Sequence, residues 1–378
     1  MMKPIYLDYN ASTPVAPEVL AAMAPFSIEH YGNPHSLHWA GTPAGAAIET
    51  ARAQVAAALG CEAAEVVFTG GASEANSLAI KGMWLANRDR GDHIVTSAVE
   101  HGSVRNAIAW LAKTFGVRVT TVGVDRFGRV DPTDVAAALE PRTLLVSIMH
   151  ANNEVGTIQP IEEIARLCRA RGVALHTDAA QSFGKIPVSL GGLGVDYLTL
   201  AGHKFYAPKG VGALLVRRGA PRIDPLIHGV GQEQGLRGGT ENVQFIVGLG
   251  AATQLMAPLA HVPALRRLRD RLWEGLHAAL GDRVRLLGHP EHRLPNTCNV
   301  AFRGVIGAEL LARLPEIAAS PGAACNFRKT TLSPTLEAMG VEPEFGAGAI
   351  RWSVGRSTTD EEVDAAIGRI AAAAGSLR

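Results

Sequence analysis

From about residue 50 to residue 220, short apolar runs alternate with amphipathic segments, and this alternation limits the possible folds more than any other feature. Strands that alternate with helices in this way are typical of a parallel sheet with helices packed on it. The predicted strands are 65–69, 93–96, 117–122, 144–148, 173–176 and 212–216. A helical spacing of Ile161, Ile164, Ala165 and Cys168 predicts a helix that turns these side chains to the core.

Beyond about residue 260 the pattern changes to helices rich in Arg, Leu and Ala around short strands such as 299–302, with a final helix over 359–374. A chain of 378 residues exceeds what one core usually organises, so we predict a second, smaller α+β domain. The uncharged stretch 242–265 is long enough to span a membrane, but its glutamines, prolines and glycines favour a buried helix in a globular protein. We place the domain boundary within this stretch.

The charge and the cysteines exclude several classes of function. Lys and Arg number 36 and Asp and Glu 35, and a net charge of +1 provides no strong field for nucleic acid or for an anionic membrane. The four cysteines, Cys61, Cys168, Cys298 and Cys325, are far apart, which argues against a zinc site and against a disulfide-bonded secreted domain. No apolar signal segment opens the chain, so we expect a cytoplasmic protein without a metal.

The segment that follows the first strand of the sheet, 69–76, is the first candidate for binding chemistry. Gly70 and Gly71 precede Ser73, so backbone N–H groups at the start of a helix could bind a phosphate at close approach. Structural glycines and an N-cap serine are an equally good explanation of this segment alone. It is neither a Walker loop nor a complete dinucleotide fingerprint.

Two further residues make the phosphate interpretation stronger. Asp178 ends a predicted strand, where open α/β sheets bind their ligands, although it could also cap a helix. Lys204 directly follows a strand that reads as buried, and a desolvated lysine with a lowered pKa can form a Schiff base. A phosphate cradle, an acidic partner for a pyridinium nitrogen and such a lysine are what pyridoxal 5'-phosphate requires.

With these motifs the chain resembles the cysteine desulfurases, which are class-V aminotransferase-type enzymes of pyridoxal-phosphate fold type I, and it is also similar to selenocysteine lyases. The resemblance runs nearly end to end. The matching segments, besides those of Asp178 and Lys204, are YLDYNASTP at 6–14, GNPHS at 32–36, EH at 100–101, ANNEVGT at 151–157, RGGTEN at 237–242, GAAC at 322–325 and RWSVGR at 351–356.

The resemblance implies a large cofactor-binding domain over 14–257, with a mostly parallel seven-stranded sheet flanked by helices. Residues 1–13 and 258–378 would form the smaller α+β domain, which would carry the loop of the catalytic cysteine. The resemblance also implies a homodimer.

The resemblance further implies roles for single residues around pyridoxal phosphate. Lys204 would bind the cofactor and move the substrate Cα proton, Asp178 would keep the pyridine nitrogen protonated, and His101 would stack on the ring and assist proton transfer. The other cofactor and substrate ligands would be Ala72 (through its backbone), Ser73, Gln181, His203 and the partner subunit's Thr240, with Asn153 beside cofactor and substrate and Arg351 on the substrate carboxylate. Asn152 and Asn153 could instead be turn residues, and Arg356 is better explained as structural.

Cys325 is the expected nucleophile. It lies in a turn-forming segment of small residues, and the nearby Arg328 and Lys329 favour the reactive thiolate, whereas Cys61 and Cys298 read as core residues. The resemblance places the persulfide-forming cysteine at this position. Two departures from the usual family pattern are Ala201 in place of a serine and a segment around Cys325 with Ala323, Asn326 and Phe327 in place of serines and threonines. We predict that the loop 320–333 moves during turnover, because Cys325 must meet both substrate and acceptor.

The function predicted from these features is conversion of L-cysteine to L-alanine, with a persulfide on Cys325 for transfer to a sulfur-acceptor protein. A selenocysteine lyase is the nearest alternative, and a non-catalytic scaffold that binds a partner is an alternative of another class. A plain aminotransferase would leave Cys325 without a role. The sequence does not choose among iron–sulfur cluster assembly, tRNA thiolation and DNA sulfur modification as the pathway.

Overall fold

The structure is a computed structural model that describes residues 3–326 and 329–377, with 323–326 and 329–331 described as backbone. The helices are α1 (Pro17–Met23), α2 (Pro25–Ile28), α3 (Thr42–Leu59), α4 (Ala72–Ser77), α5 (Met83–Asn87), α6 (Gly102–Phe115), α7 (Pro132–Ala138), α8 (Ile161–Ala170), α9 (Leu190–Leu193), α10 (Val243–Met256), α11 (Val262–Leu280), α12 (Gly307–Ala312), α13 (Pro334–Ala338), α14 (Pro343–Gly346) and α15 (Asp360–Gly375). The strands are β1 (Ile5–Tyr6), β2 (Val66–Thr69), β3 (His93–Ser97), β4 (Arg118–Val122), β5 (Thr143–Ser147), β6 (Ala174–Asp178), β7 (Tyr197–Ala201), β8 (Gly212–Val216), β9 (Val284–Leu287), β10 (Thr297–Phe302), β11 (Ile317–Ala318), β12 (Ser320–Pro321), β13 (Ala323–Asn326), β14 (Lys329–Leu332) and β15 (Ala349–Ser353).

A seven-stranded sheet in the order β2-β8-β7-β6-β5-β3-β4 forms the centre of the larger part of the molecule. All its pairs are parallel except those of β8, which runs antiparallel to both of its neighbours. This confirms the predicted α/β class and the mostly parallel sheet, and the six strands predicted by number agree within two residues at either end. The carboxyl ends of β5, β6 and β7 therefore open at one edge, where such sheets bind ligands.

Helices cover both faces of this sheet because its strands are apolar on both sides. In β2, Val66 and Phe68 belong to one core cluster, whereas Val67 between them belongs to another cluster on the opposite face. The predicted core positions of α8, Ile161, Ile164, Ala165 and Cys168, are all buried, which confirms the helical pattern.

A second, four-stranded antiparallel sheet, β12-β15-β10-β9, lies in the C-terminal part of the chain. The core that it shares with α11 and α15 includes Ile5 and Leu7, and β1 pairs in parallel with β11. The N-terminal residues thus contact the C-terminal part, as the proposed assignment of 1–13 requires. Cys298 is buried in this core, as predicted, whereas Cys61 is only partly buried against the core of the larger part.

The uncharged stretch 242–265 forms two helices rather than the single helix that we predicted. α10 ends at Met256, and Pro258 and Leu259 follow before α11 begins at Val262. Proline cannot continue a helical hydrogen-bond ladder, and Leu259 has a positive φ of 56°, so the chain turns here. Among the residues that the structure describes, no helix is long and apolar enough to cross a membrane.

Candidate active site

A cavity of about 850 Å³ opens at the carboxyl ends of β6 and β7 and brings together most of the predicted site residues. Its lining includes residues from both sheets, which lie more than a hundred positions apart in the sequence. The predicted residues among them are Ala72, Ser73, His101, Asn153, Asp178, Gln181, His203, Lys204 and Arg351. Separate sequence motifs thus form one concave site.

The turn between β2 and α4 forms one wall of the cavity. Gly70 N–H donates to Glu74 Oε2 at 2.9 Å, and Arg237 Nε donates to Glu74 Oε1 at 3.1 Å, so this carboxylate holds the turn in place. Gly71 has a φ of 143°, and a Cβ at this position would meet no protein atom within 4 Å. A side chain there would instead occupy cavity space, so the glycine leaves room for an anion close to the backbone.

Asp178 ends β6 and is buried, and two donors hold its carboxylate. Asn76 Nδ2 donates to Oδ2 at 2.8 Å, and the Ala180 N–H donates to Oδ1 at 2.9 Å. Turns rather than a helix follow Asp178, so its alternative interpretation as a helix N-cap is wrong. Asn76 also donates to Ser103 Oγ at 2.8 Å, which ties α4 to α6 beside the carboxylate.

Lys204 lies in a single 3₁₀ turn that directly follows β7. Its Nζ donates to the carbonyl oxygens of Asn10 at 2.7 Å and Ala11 at 2.8 Å. Burial lowers the pKa of Lys204 to about 8, and the positive charge of Arg351 adds to this effect, while nearby carboxylates oppose it. A substantial part of this lysine is therefore the neutral, nucleophilic amine near pH 8.

His203 and His101 are the two histidines that line the cavity. Burial lowers the pKa of His203 to about 4, so this imidazole is neutral at pH 7. His101 caps the N-terminus of α6, where its Nδ1 accepts from the Ser103 N–H at 3.2 Å. In a neutral ring this bond assigns the proton to Nε2.

Arg351 extends from β15 into the cavity and is held by three groups. Nη2 donates to Asp8 Oδ1 and to Ser320 Oγ, both at 2.9 Å, and Nη1 donates to the Asn153 carbonyl oxygen at 2.9 Å. Its Nε is buried and has no partner among the described residues. A guanidinium that is fixed in this way can bind a carboxylate with defined geometry.

One predicted residue is not assembled with the others, and another has a side chain that the structure does not describe. Thr240 is exposed and lies outside the cavity lining. The side chain of Cys325, together with Phe327 and Arg328, lies outside the described residues, so the mobility of 320–333 stays a prediction. The backbone of this segment differs from the predicted loop, because β13 pairs with β14 in an antiparallel hairpin.

The other cysteines are poor nucleophiles. Burial raises the pKa of Cys61, Cys168 and Cys298 to about 12 in each case, so their thiols stay protonated at neutral pH. Their chemistry agrees with the structural roles that the sequence predicted for Cys61 and Cys298.

Sequence reasoning missed three residues that support the site: Asn10, Asn76 and Lys185. Asn10 and Asn76 lie in the segments 6–14 and 69–76, which the sequence analysis had selected, so their place in these motifs could have indicated a role in the site. Lys185 lies four positions after Gln181, and nothing in the local sequence distinguishes it from a surface lysine.

Comparison with known proteins gives a consistent result. The family model "Aminotransferase class-V" matches residues 5–366. The cysteine desulfurase IscS of Methanosarcina thermophila is 45% identical over 366 residues, which cover 96% of this chain and 90% of that protein. Among solved structures, a NifS-like protein matches with a TM-score of 0.92 and 38% identity over 98% of both chains. A structure described as SspA in complex with cysteine matches with a TM-score of 0.81 and 36% identity. That match covers 94% of this chain and 100% of the other chain.

Proposed function

The chain belongs to the class-V aminotransferase family and is a pyridoxal-phosphate-dependent cysteine desulfurase, and we propose that the residues of the cavity carry its reaction. The observation that carries this proposal is the placement of Lys204, Asp178 and the open turn at Gly71 around one cavity. Each of these groups suits a different part of the same cofactor.

The residues present fit pyridoxal phosphate. We assign its covalent attachment to Lys204, its pyridine nitrogen to Asp178, its ring face to His101 and its ring oxygen to Gln181. The phosphate would be held by Ser73, His203, the backbone of Ala72 and the partner subunit's Thr240. Once bound, the cofactor withdraws electrons from the Cα of the substrate.

The protein's own groups would orient the substrate and move its protons. Arg351 would bind the carboxylate of L-cysteine, with Asn153 beside it, and the contacts of Arg351 with Asp8 and Ser320 would limit its motion. The Lys204 amine would take the Cα proton, and a pKa near 8 suits a base that works at neutral pH. His101 would assist this proton transfer.

Sulfur transfer is assigned to Cys325. Its thiolate would attack the substrate sulfur, so that a sulfur–sulfur bond forms while the bond between the substrate Cβ and its sulfur breaks. The electron pair of the broken bond stays with the carbon product, which takes up the equivalent of the proton that the Cys325 thiol lost and leaves as L-alanine. The raised pKa values of the three other cysteines support this assignment.

The persulfide would pass to a sulfur-acceptor protein in the cytoplasm. We propose iron–sulfur cluster assembly as its use, because relatives named cysteine desulfurase IscS match over nearly the whole chain. The alternatives are tRNA thiolation and DNA sulfur modification, and DndA from Streptomyces lividans also matches with 36% identity and a TM-score of 0.78. Capture of the acceptor by the persulfide form of the enzyme would distinguish these uses.

We propose a homodimer in which each subunit completes the other's site. Leu37, Trp39 and Val230 are 100%, 80% and 93% exposed, which is unusual for large apolar side chains. His35 Nε2 lies 2.8 Å from Glu241 Oε1, so the segment of Leu37 and Trp39 is joined to the segment of Thr240. Trp39→Glu should therefore yield monomers in sedimentation and weaken cofactor binding, whereas Trp110→Glu on another exposed aromatic should do neither.

The two-domain division, 14–257 against 1–13 with 258–378, remains a proposal that the two separate core clusters support. Limited proteolysis should cut first near the turn at Pro258. Initial cuts within α10 or α11 would contradict this boundary.

The experiment that tests the function supplies the purified holoenzyme with L-cysteine and a thiol reductant. Sulfide and alanine should form in equal amounts, and Cys325→Ala should lower the rate by more than about 100-fold, while Cys61→Ala keeps it. Sulfide release by Cys325→Ala at the wild-type rate would remove Cys325 from the mechanism. A selenocysteine lyase would instead prefer L-selenocysteine and keep that activity in Cys325→Ala.

A further inference from the structure

Lys185 is a buried amine that the mechanism described above does not use. It is 5% exposed and lies in the turns that follow β6, next to the cavity wall. Among the described side chains, no carboxylate lies within ion-pair distance of its Nζ. Lysines are almost never buried without a partner, because removing the charge from water is costly.

The hydrogen bonds of Lys185 suit a neutral amine. Its Nζ donates to Gln181 Oε1 at 2.7 Å and to Asn10 Oδ1 at 3.1 Å. Two acceptors match the two N–H groups of a neutral amine, whereas an ammonium group would have a third N–H to satisfy. Burial, together with the charges of Lys204 and Arg351, lowers the pKa of Lys185 well below its usual value.

This contact determines which end of the Gln181 amide faces the cavity. A glutamine amide can exchange its oxygen and nitrogen by rotation, and only its hydrogen-bond partners decide the orientation. Lys185 donates to Oε1, and the Asn10 carbonyl oxygen, which can only accept, takes an N–H from Nε2 at 2.9 Å, so the two contacts together place Nε2 away from Lys185. The second N–H has no protein partner among the described residues and is free for a bound molecule.

Asn10 connects the same network to the reactive lysine. Its carbonyl oxygen accepts from both Gln181 and Lys204, and its side-chain oxygen accepts from Lys185 and from Asn296 Nδ2 at 3.0 Å. Lys185 therefore supports both the residue assigned to the cofactor ring oxygen and the carbonyl that orients Lys204.

We propose that Lys185 is a positioning residue, which fixes the Gln181 amide with its N–H end toward the cofactor and holds Asn10 against Lys204. This inference rests on the proposed role of Gln181. Removing the amine would leave the buried Gln181 Oε1 unpaired and free the amide to rotate, while Asn10 Oδ1 would keep only its bond from Asn296.

The test compares Lys185→Met with Lys81→Met, a matched change at a lysine that packs over Trp110, away from the cavity. For each holoenzyme the visible absorption maximum of the cofactor is recorded, and the dissociation constant is measured by titrating the cofactor-free protein with pyridoxal phosphate. Lys185→Met should shift the maximum and raise the dissociation constant about tenfold. Lys81→Met should change neither.

A double-mutant cycle with Gln181→Leu shows whether Lys185 acts through the amide. The shift caused by Lys185→Met should disappear in the Gln181→Leu background. An equal shift in both backgrounds, or a wild-type spectrum and affinity in Lys185→Met, would overturn the inference.

If Gln181→Leu alone leaves the spectrum unchanged, the assignment of Gln181 fails first and the inference fails with it. If Lys185→Met does not fold, Lys185→Gln, which keeps an NH2 donor group on a shorter side chain, takes its place and should give a smaller shift in the same cycle.

Discussion

At the scale of single residues, the site depends on which groups stay neutral. Burial keeps His203 neutral at pH 7 and makes Lys204 reactive near pH 8. Asp178, by contrast, receives two hydrogen bonds suited to a carboxylate. An amine that loses its proton near pH 8, together with a carboxyl group held by two hydrogen bonds, suits a carbonyl cofactor with a basic ring nitrogen.

The lowered pKa of Lys204 predicts how cofactor uptake depends on pH. With a pKa of about 8, the neutral fraction of the amine rises about tenfold between pH 7 and pH 9. The rate at which the cofactor-free enzyme regains its visible absorption band with pyridoxal phosphate should rise to the same extent. A rate that stays constant from pH 7 to pH 9 would show that this lysine is not the titrating group.

The fixed guanidinium of Arg351 predicts a specific effect on substrate binding. Arg351→Lys keeps the charge but loses the planar fork, so the KM for L-cysteine should rise about tenfold or more, with a smaller change in kcat. Arg356→Lys is the matched control and should leave KM unchanged, because Arg356 is assigned a structural role. Steady-state kinetics measure the KM of both variants. An equal rise in KM for the two would contradict the assignment of Arg351 to the substrate carboxylate.

At this scale the sequence predicted most of the residues that meet in the cavity but not those that hold them in place. Lys204 and Asp178 lie in motifs whose chemistry can be read locally, whereas the role of Arg351 was implied only by the resemblance to a family. Lys185 and Asn76 act through contacts with residues far away in the sequence or across the sheet, and these contacts exist only after folding. A lysine four positions after a glutamine has no local signature of burial.

At the scale of elements, the turn between β2 and α4 makes a testable link between backbone geometry and binding. Gly71 has a φ that disfavours other residues, and its missing Cβ leaves cavity space open. Gly71→Ala should weaken cofactor affinity by about tenfold or more, because it both strains the turn and fills the space for the anion.

Gly116→Ala is the control for this prediction. Gly116 also has a positive φ, of 72°, with no atom within 4 Å of a Cβ, but it ends α6 outside the cavity lining. Both variants should lose stability, and only Gly71→Ala should lose cofactor affinity in a titration. Equal affinity in the two variants would show that the turn does not approach the cofactor.

The elements also show where local sequence patterns are sufficient. Apolar runs predicted the sheet strands closely, and those of β2, β3 and β8 are buried on both sides. The break between α10 and α11 and the pairing of β13 with β14 were missed. Both features depend on contacts that form only in the folded chain. α10 packs into one hydrophobic core and α11 into another, and the small residues of β13 pair with β14 across the hairpin.

At the scale of the whole molecule, buried ionisable groups make stability depend on pH. Burial raises the pKa of Glu100 to about 8, while its carboxylate accepts from Ser97 Oγ and the Met149 N–H. The folded protein thus keeps a proton that the unfolded chain loses near pH 4.5. The stabilisation of the folded state by this retained proton is complete below pH 4.5 and disappears as the pH rises through about 8.

Glu100→Gln should remove this loss of stability at alkaline pH. Between pH 6 and pH 8 the free energy of unfolding of the wild type should fall by about 2 kcal/mol from this group, and the variant should lack that part of the slope. Glu163→Gln on the exposed side of α8 should keep the wild-type slope. Denaturant unfolding of the three proteins at several pH values makes the comparison, and equal slopes would contradict a protonated Glu100.

In the proposed reaction, Cys325 receives the sulfur of L-cysteine in a site organised by Lys204 and Asp178. The most direct measurement is intact-protein and peptide mass spectrometry after one turnover with L-cysteine, without reductant. We expect a mass gain of one sulfur atom on the peptide that contains Cys325, with one alanine formed for each modified chain. Alanine formation without sulfur on Cys325, or sulfur on Cys61 instead, would contradict it.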